Sequence, residues 1–219
     1  MFVFRSRAEA GMVLAHRLGE LGGARAVVLG LPRGGVIVAE AVAQALSAPL
    51  DFIACRKLGA PDNPEFALGA IAEGDVTVLN DDELEAGGSP DRMRDYLFRE
   101  AGRQREELRR QVALYRGSAP PVSLVGATAV LVDDGIATGL TMLAAVLSAR
   151  QRRAARVVVA VPVAPPGAVL RFSRVADQVT IVECPSPFHA VGRFYLDFDQ
   201  VSDTDVAQAL ARGKARPEG

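Results

Sequence analysis

The run Val130-Leu131-Val132-Asp133-Asp134-Gly135-Ile136-Ala137-Thr138-Gly139-Leu140-Thr141 sets two adjacent acids and a small-residue turn between an apolar stretch and a helical one. Ala129 to Val132 is short, apolar and partly β-branched, which suits a buried parallel strand. From Gly139 onward Leu140, Leu143, Ala144 and Leu147 recur at helical spacing, so a helix starts there. A turn between the two leaves unpaired backbone N–H groups at the positive end of a helix dipole, a ready pocket for an anion. Thr138 and Thr141 add hydroxyl donors. Carboxylates beside a phosphate repel it, so Asp133 and Asp134 must face something else. They only accept hydrogen bonds, and the cis-diol of a pentose offers two donors at matching separation. The run therefore reads as a site for a phosphorylated sugar. Its ribose edge would lie on Asp133 and Asp134, and its 5′-phosphate on Gly135, Ile136, Ala137, Thr138, Gly139, Leu140 and Thr141. The alternative is a surface turn whose acids cap a helix.

The elements around this run alternate between strand and helix. An amphipathic helix is expected over Ala8 to Leu21, ended by Gly22-Gly23, then a strand over Ala26 to Leu31 and an Ala/Val-rich helix over Gly35 to Leu46. Leu50 to Cys55 reads as a strand, and Ala67 to Ala72 and Val76 to Leu79 as strands flanking a turn at Glu73-Gly74-Asp75. Pro90 to Arg116 is a long helix of mixed charge, closed by the breaker Ser118 to Pro121. The apolar pattern resumes with strand 129–132, helix 139–150, strand 156–163, helix 165–172, strand 178–182 and a final helix over Asp203 to Arg212, before a frayed tail at 216–219. This order predicts an α/β fold with a parallel, Rossmann-like sheet flanked by helices. Residues 1–61 and 120–185 form the expected core, 62–119 and 186–200 a small hood or insert, and 201–219 the terminal helix and tail.

Composition narrows the function classes. A chain of 219 residues, 49% hydrophobic and 23% charged, is long enough for a real core, and its net charge of -1 gives no global bias toward nucleic acid. Of 25 basic residues only Lys57 and Lys214 are lysines, which makes Lys57 conspicuous. Cys55 and Cys184 lack metal-ligand spacing and read as buried free thiols of a reducing compartment. No stretch is long and apolar enough to span a membrane, so a cytoplasmic location without membrane partners is expected. The arginines of the long helix are interleaved with acids, and pairs such as Glu106 with Arg110 account for them without nucleic acid. A solvated or subunit-contacting helix is expected.

The Asp133 run resembles the PRPP (5-phosphoribosyl 1-pyrophosphate) motif of type I phosphoribosyltransferases: an apolar strand, two acids, small residues, then Thr-Gly and a hydroxyl residue. In that family the acids hold the ribose hydroxyls and the following loop the 5′-phosphate. The resemblance implies a Mg2+-dependent pentosyltransferase of nucleotide metabolism. It binds PRPP and a small-molecule acceptor, and relatives of this kind are commonly homodimers. It also implies a pyrophosphate loop. Gly30-Leu31-Pro32-Arg33-Gly34-Gly35 is similar to it, so Pro32, Arg33, Gly34 and Gly35 become pyrophosphate contacts, with Arg33 supplying charge-assisted hydrogen bonds. Alone, this glycine pattern fits any tight strand-to-helix turn. Arg56-Lys57 opens a segment rich in turn formers, through Pro61-Asp62-Asn63-Pro64, that reads as a mobile loop. By resemblance Arg56 and Lys57 join Arg33 in stabilising departing pyrophosphate while the loop excludes water.

The segment Cys184 to Phe198 gathers several aromatics and is similar to the base-binding hood of purine enzymes, with stretched spacing. Phe188 and Val191 become candidate base contacts, with core packing as the alternative. His189 and His16 have no partner in view. Enzymes acting on hypoxanthine and guanine carry an Asp where this chain has Ala137; Ala-Thr-Gly is nearer the adenine and uracil enzymes. The reading is transfer of phosphoribosyl to a nitrogenous acceptor. A non-catalytic PRPP-sensing or nucleotide-binding regulator on the same fold is the alternative, because a fold and a phosphate site do not guarantee turnover.

Overall fold

The computed structural model describes residues 3–22, 25–81, 84 and 90–214; Gly23 and the tail at 216–219 lie outside them. Five strands form a parallel sheet: β1 (Ala26–Gly30), β2 (Leu50–Phe52), β6 (Thr128–Val132), β7 (Arg156–Val163) and β8 (Gln178–Glu183), in the order β2-β1-β6-β7-β8. Three more form an antiparallel sheet: β3 (Cys55–Ala60), β4 (Asn63–Ala72) and β5 (Val76–Leu79). The helices are α1 (Arg7–Arg17), α2 (Gly34–Leu46), α3 (Pro90–Arg116), α4 (Leu140–Gln151), α5 (Ala168–Phe172) and α6 (Asp203–Lys214). Among the described residues no helix is long and apolar enough to cross a membrane.

Successive strand residues point to opposite faces, and the core divides accordingly. Val28, Val130, Val132, Val158 and Ala160 pack with Leu14 of α1 and Val36 and Val42 of α2. Their neighbours Leu29, Ala129, Leu131, Val157 and Val159 pack with Met142, Val146 and Ala149 of α4. β4 is split as well, with Ala67, Ala70 and Ala72 joining the α4 cluster because the register shift opposite Leu58/Gly59 interrupts its alternation. Its Leu68 and Ile71 meet Leu97, Ala101 and Leu108 of α3. Helix α4 is therefore apolar on both sides because it lies between two sheets. That arrangement places the small sheet above the helix that follows the acid pair.

The structure departs from five expectations. Arg56 and Lys57 are not on a mobile loop but on β3, hydrogen-bonded to β4 through a tight turn at residues 61 and 62, with register shifts at Leu58/Gly59 and Gly59/Ala60. The strand expected over Leu50 to Cys55 is two strands, β2 ending at Phe52 and β3 starting at Cys55. Arg110 pairs with Glu107 instead of Glu106, its Nε and Nη2 donating to the two carboxylate oxygens at 2.9 Å and 2.7 Å. Cys184 is exposed, one residue past the end of β8, while Cys55 is half-buried; both thiols are free. Helix α3 is also less solvated than its charges imply, with Leu97, Ala101, Leu108 and Tyr115 buried.

At its C-terminal end α3 is fastened by a buried ion cluster. The Arg116 guanidinium donates to Glu73 at 2.7 Å, to Asp51 at 3.4 Å and to the Phe52 carbonyl at 3.2 Å, and lies 4.2 Å from the centre of the Phe52 ring. Glu73 also accepts from the Ala54 amide at 2.8 Å and Asp51 from the Val122 amide at 2.9 Å. Burial opposes the charge on Arg116, and the two carboxylates more than offset it.

Candidate active site

In a doubly wound sheet the ligand crevice opens where successive crossovers leave in opposite directions, at the carboxyl ends of the strands. Here that point lies between β1 and β6. The chain leaves β1 for α2 and β2 on one side, and leaves β6 for α4 and β7 on the other. The turn 31–33 and the loop 133–139 meet across it, with the Leu31 amide donating to the Val132 carbonyl at 2.9 Å. The Pro32–Arg33 peptide is cis.

Contact between these two loops demands glycine. A Cβ on Gly34 would fall 2.0 Å from Asp134 Oδ2, and one on Gly35 2.8 Å from Asp133 Oδ1 and Cα. The glycine pair thus lets the start of α2 rest on the acids. Gly34→Ala is expected to cost about 1–3 kcal/mol through overpacking, read as a lower midpoint in thermal unfolding. An unchanged midpoint would show that the loops stand further apart.

The two acids are held differently. Asp133 Oδ1 accepts the Asp134 amide at 2.8 Å. Asp134 Oδ2 accepts from Arg7 Nε at 2.8 Å, in a pair whose side chains are only 12% and 16% exposed. Arg7 in turn donates to the Asp199 carbonyl at 2.9 Å and stacks 3.9 Å from the centre of the Phe198 ring. The Tyr195 hydroxyl donates to the Asp134 carbonyl at 2.6 Å. Burial, and then the neighbouring charge of Asp134, push the Asp133 carboxyl well above its ordinary value. Burial also raises Asp134, against the pull of Arg7. Arg7 and Tyr195 escaped sequence reasoning, since neither is near the acids in sequence and no local motif marks them.

Beyond the acids the chain turns through Gly139, whose φ of +77° is the left-handed conformation that glycine adopts freely, into α4. The amides of the first turn of α4 find no helical carbonyl and no side-chain cap. A pocket of about 160 Å³ opens there, lined by Asp133, Gly135 to Met142, Lys57, Ala67 and Val191. A tetrahedral phosphate needs the space of roughly two to three waters, about 60–90 Å³ at about 30 Å³ each, so the pocket admits one. Arg171 donates to the Thr138 carbonyl on its rim. A wider groove of about 410 Å³, between the Glu73 to Asp75 turn and α3, contains neither the acids nor the glycine turn.

Strand alternation separates the two cations of β3. Lys57 reaches the pocket, whereas Arg56 donates to Gln104 of α3 at 2.8 Å and is not brought to the pocket with it. Arg33 is exposed at the start of α2. Val191 lines the pocket and touches the Gly135 backbone position. Phe188 stacks on Phe194 with ring centres 5.4 Å apart and packs into a small cluster with Phe4 and Tyr195. His16 and His189 are exposed and outside the pocket.

Comparison with known proteins identifies the family. The family model described as "Phosphoribosyl transferase domain" matches residues 6–199. Two Mycobacterium tuberculosis proteins, from strains CDC 1551 and H37Rv, are named provisionally as phosphoribosyl transferases. Each is 46% identical over 212 residues, covering 97% of this chain and 47% of theirs. The chain therefore spans about half the length of these curated relatives. The crystal structure of the protein TT1426 from Thermus thermophilus is 48% identical, covers 96% of this chain and 99% of its own, and superposes with a TM-score of 0.79. The AQ2163 protein from Aquifex aeolicus, at 13% identity and a TM-score of 0.52, covers 93% of this chain and 84% of its own and shares the fold. With the matched region running across both loops of the crevice and the acid pair between them, the chain belongs to the phosphoribosyl transferase domain family.

Proposed function

We propose that this chain transfers the 5-phosphoribosyl group from PRPP to a nitrogenous acceptor, releasing pyrophosphate. The observation that carries the reading is the packing of the Gly34-Gly35 turn directly on Asp133 and Asp134, with an anion-sized pocket on the far side of the acids. A ribose edge on the acids sends its 5′-phosphate into the α4 amides. Its C1′ substituent then points toward Pro32, Arg33, Gly34 and Gly35.

The nucleophilic nitrogen forms a bond to C1′ as the C1′–O bond to diphosphate breaks, with the electron pair leaving on oxygen. Positive charge grows on the ring beside the two carboxylates, and negative charge grows on diphosphate beside Arg33 and Lys57. Fixed charges at those places lower the barrier without reorganising. Arg56, turned to α3 by Gln104, enters as support for that wall. Val191 flanks the acceptor side of the pocket, while Phe188 acts through the aromatic cluster behind it. Ala137 leaves the acceptor nitrogen without a carboxylate base at that position, which favours acceptors other than 6-oxopurines.

Mg2+ fits as an ion delivered with the substrate. Among the described residues no group of three His, Cys, Asp or Glu side chains is placed to cage a metal, and Asp134 is engaged by Arg7. The ion would be held by ligand oxygens and water, with no direct ligand from the chain. When bound, the ion offsets charge on the departing diphosphate.

The test is incubation of the chain with Mg2+-PRPP and a panel of bases, amines and nicotinate-like acids, following pyrophosphate release. Release that depends on one class of acceptor is the expected result. Tight PRPP binding with no release across the panel would replace the transferase by a PRPP-binding regulator.

A further inference from the structure

A single carboxylate draws two arginines together on the diphosphate side of the crevice. Asp203, the first residue of α6, has one oxygen 4.0 Å from Arg33 Nη1 and the other 3.5 Å from Arg110 Nη2. The Tyr115 hydroxyl donates to the first oxygen at 2.5 Å. Glu107 holds Arg110 from the other side with two hydrogen bonds, at 2.9 Å and 2.7 Å. All three charged groups remain reachable from solvent, Arg110 at 54%, Arg33 at 40% and Asp203 at 31% side-chain exposure.

An anion held between two guanidiniums and a hydroxyl has the surroundings that a phosphate group seeks. Arg33 immediately precedes the glycine pair that rests on the ribose-binding acids, so a diphosphate on C1′ arrives within its reach. Arg110 stands across Asp203 from Arg33, on a helix supplied by the insert between the two halves of the core. We infer that Arg110 is a further diphosphate-binding residue, paired with Arg33. We infer too that Asp203 occupies their shared anion position in the free protein and is displaced by substrate. This rests on the PRPP reading above. The exchange costs the Asp203 contacts, so the free protein keeps both cations aligned without their repelling each other apart. Asp203 carries a carboxyl held below its usual range by Tyr115, against desolvation, and then by Arg110. It therefore stays a charged competitor at neutral pH.

The experiment measures binding of three probes, Mg2+-PRPP, Mg2+-diphosphate and ribose 5-phosphate, by calorimetry to wild type, Arg110→Gln and Asp203→Asn. Arg110→Gln is expected to weaken PRPP and diphosphate at least tenfold and leave ribose 5-phosphate within twofold, because that probe lacks the diphosphate. Asp203→Asn is expected to tighten PRPP and diphosphate about threefold to tenfold. Equal loss of all three probes in Arg110→Gln, or no loss of any, overturns the assignment, as does weaker diphosphate binding in Asp203→Asn. Failure of wild type to bind PRPP or ribose 5-phosphate would remove the PRPP reading itself, a result separate from these. Thermal midpoints of both variants within about 2 °C of wild type show that the fold is intact.

Discussion

Replacing Asp133 by asparagine is expected to weaken PRPP binding about a hundredfold while raising the thermal midpoint. Each hydrogen bond from a ribose hydroxyl to a charged carboxylate is worth about 1.5–3 kcal/mol. Losing that charge costs about one to two powers of ten in affinity at 1.4 kcal/mol each. The stability sign runs the other way. Burial and the charge of Asp134 raise the Asp133 carboxyl, so the folded chain holds a proton at pH values where the unfolded chain has released it. That contribution is complete below the ordinary carboxylate value and is lost as pH rises through the raised one. Where the folded acid is ionised its charge therefore weighs against folding, and asparagine removes the burden while its carbonyl still accepts the Asp134 amide. A gain of about 1 kcal/mol corresponds to about 2–4 °C for a chain of this size, and it should vanish near pH 4.

Asp134→Asn separates the two acids. It should lose PRPP affinity to a similar degree but raise the midpoint less than Asp133→Asn does, because burial raises Asp134 against the pull of Arg7, which is only 12% exposed and loses its counter-ion. Titration calorimetry with PRPP and unfolding scans at pH 4 and pH 8 measure both quantities. An equal rise in both variants would contradict the unlike environments of the two carboxylates, and a fall in both would contradict the raised carboxyls themselves. Wild-type PRPP affinity in both would remove them from the sugar site.

Arg116→Met is expected to destabilise the fold more than any of these changes. It leaves Asp51, 5% exposed, and Glu73, 16% exposed, without their shared cation. Breaking a buried ion pair from one side costs about 3–5 kcal/mol, or about 6–20 °C in midpoint for a chain of this length. The loss should be partly recovered when Asp51→Asn and Glu73→Gln are added, since the carboxylate charges then disappear, though Arg152, 4.0 Å from Asp51, then loses its counter-ion in turn. Circular dichroism melts of the single and triple variants decide it: a single variant within 2 °C of wild type would mean that the cluster is solvated.

Much of the fold was legible because its signals are local. β7 runs from Arg156 to Val163 as its unbroken apolar run requires, and α3 spans Pro90 to Arg116 between a proline that starts a helix readily and Gly117, whose φ is +62°. The acid pair and its turn carry their own order of residue types, so their place at the end of β6 followed. The β3–β4 hairpin was hidden because Pro61, Asp62, Asn63 and Pro64 look like a long loop. Two register shifts at Leu58 to Ala60 also interrupt the alternation that would betray a strand. Arg7 was hidden for another reason. It lies 127 positions from Asp134, and only the pairing of the chain near Phe4 with the segment at Tyr195 brings it there. The same holds for Arg110 and Asp203, whose meeting depends on how α3 and α6 cross.

The strand position of Lys57 has a consequence for how substrate is met. A cation on a loose lid must surrender its backbone freedom each time a ligand binds, and the ligand's affinity is reduced by that ordering. Lys57 is hydrogen-bonded into β3 against Ala70, so its backbone is set once, when the polypeptide folds. On the proposed reading, its electrostatic pull would be in place at first encounter, with no loop to order over that corner of the cleft.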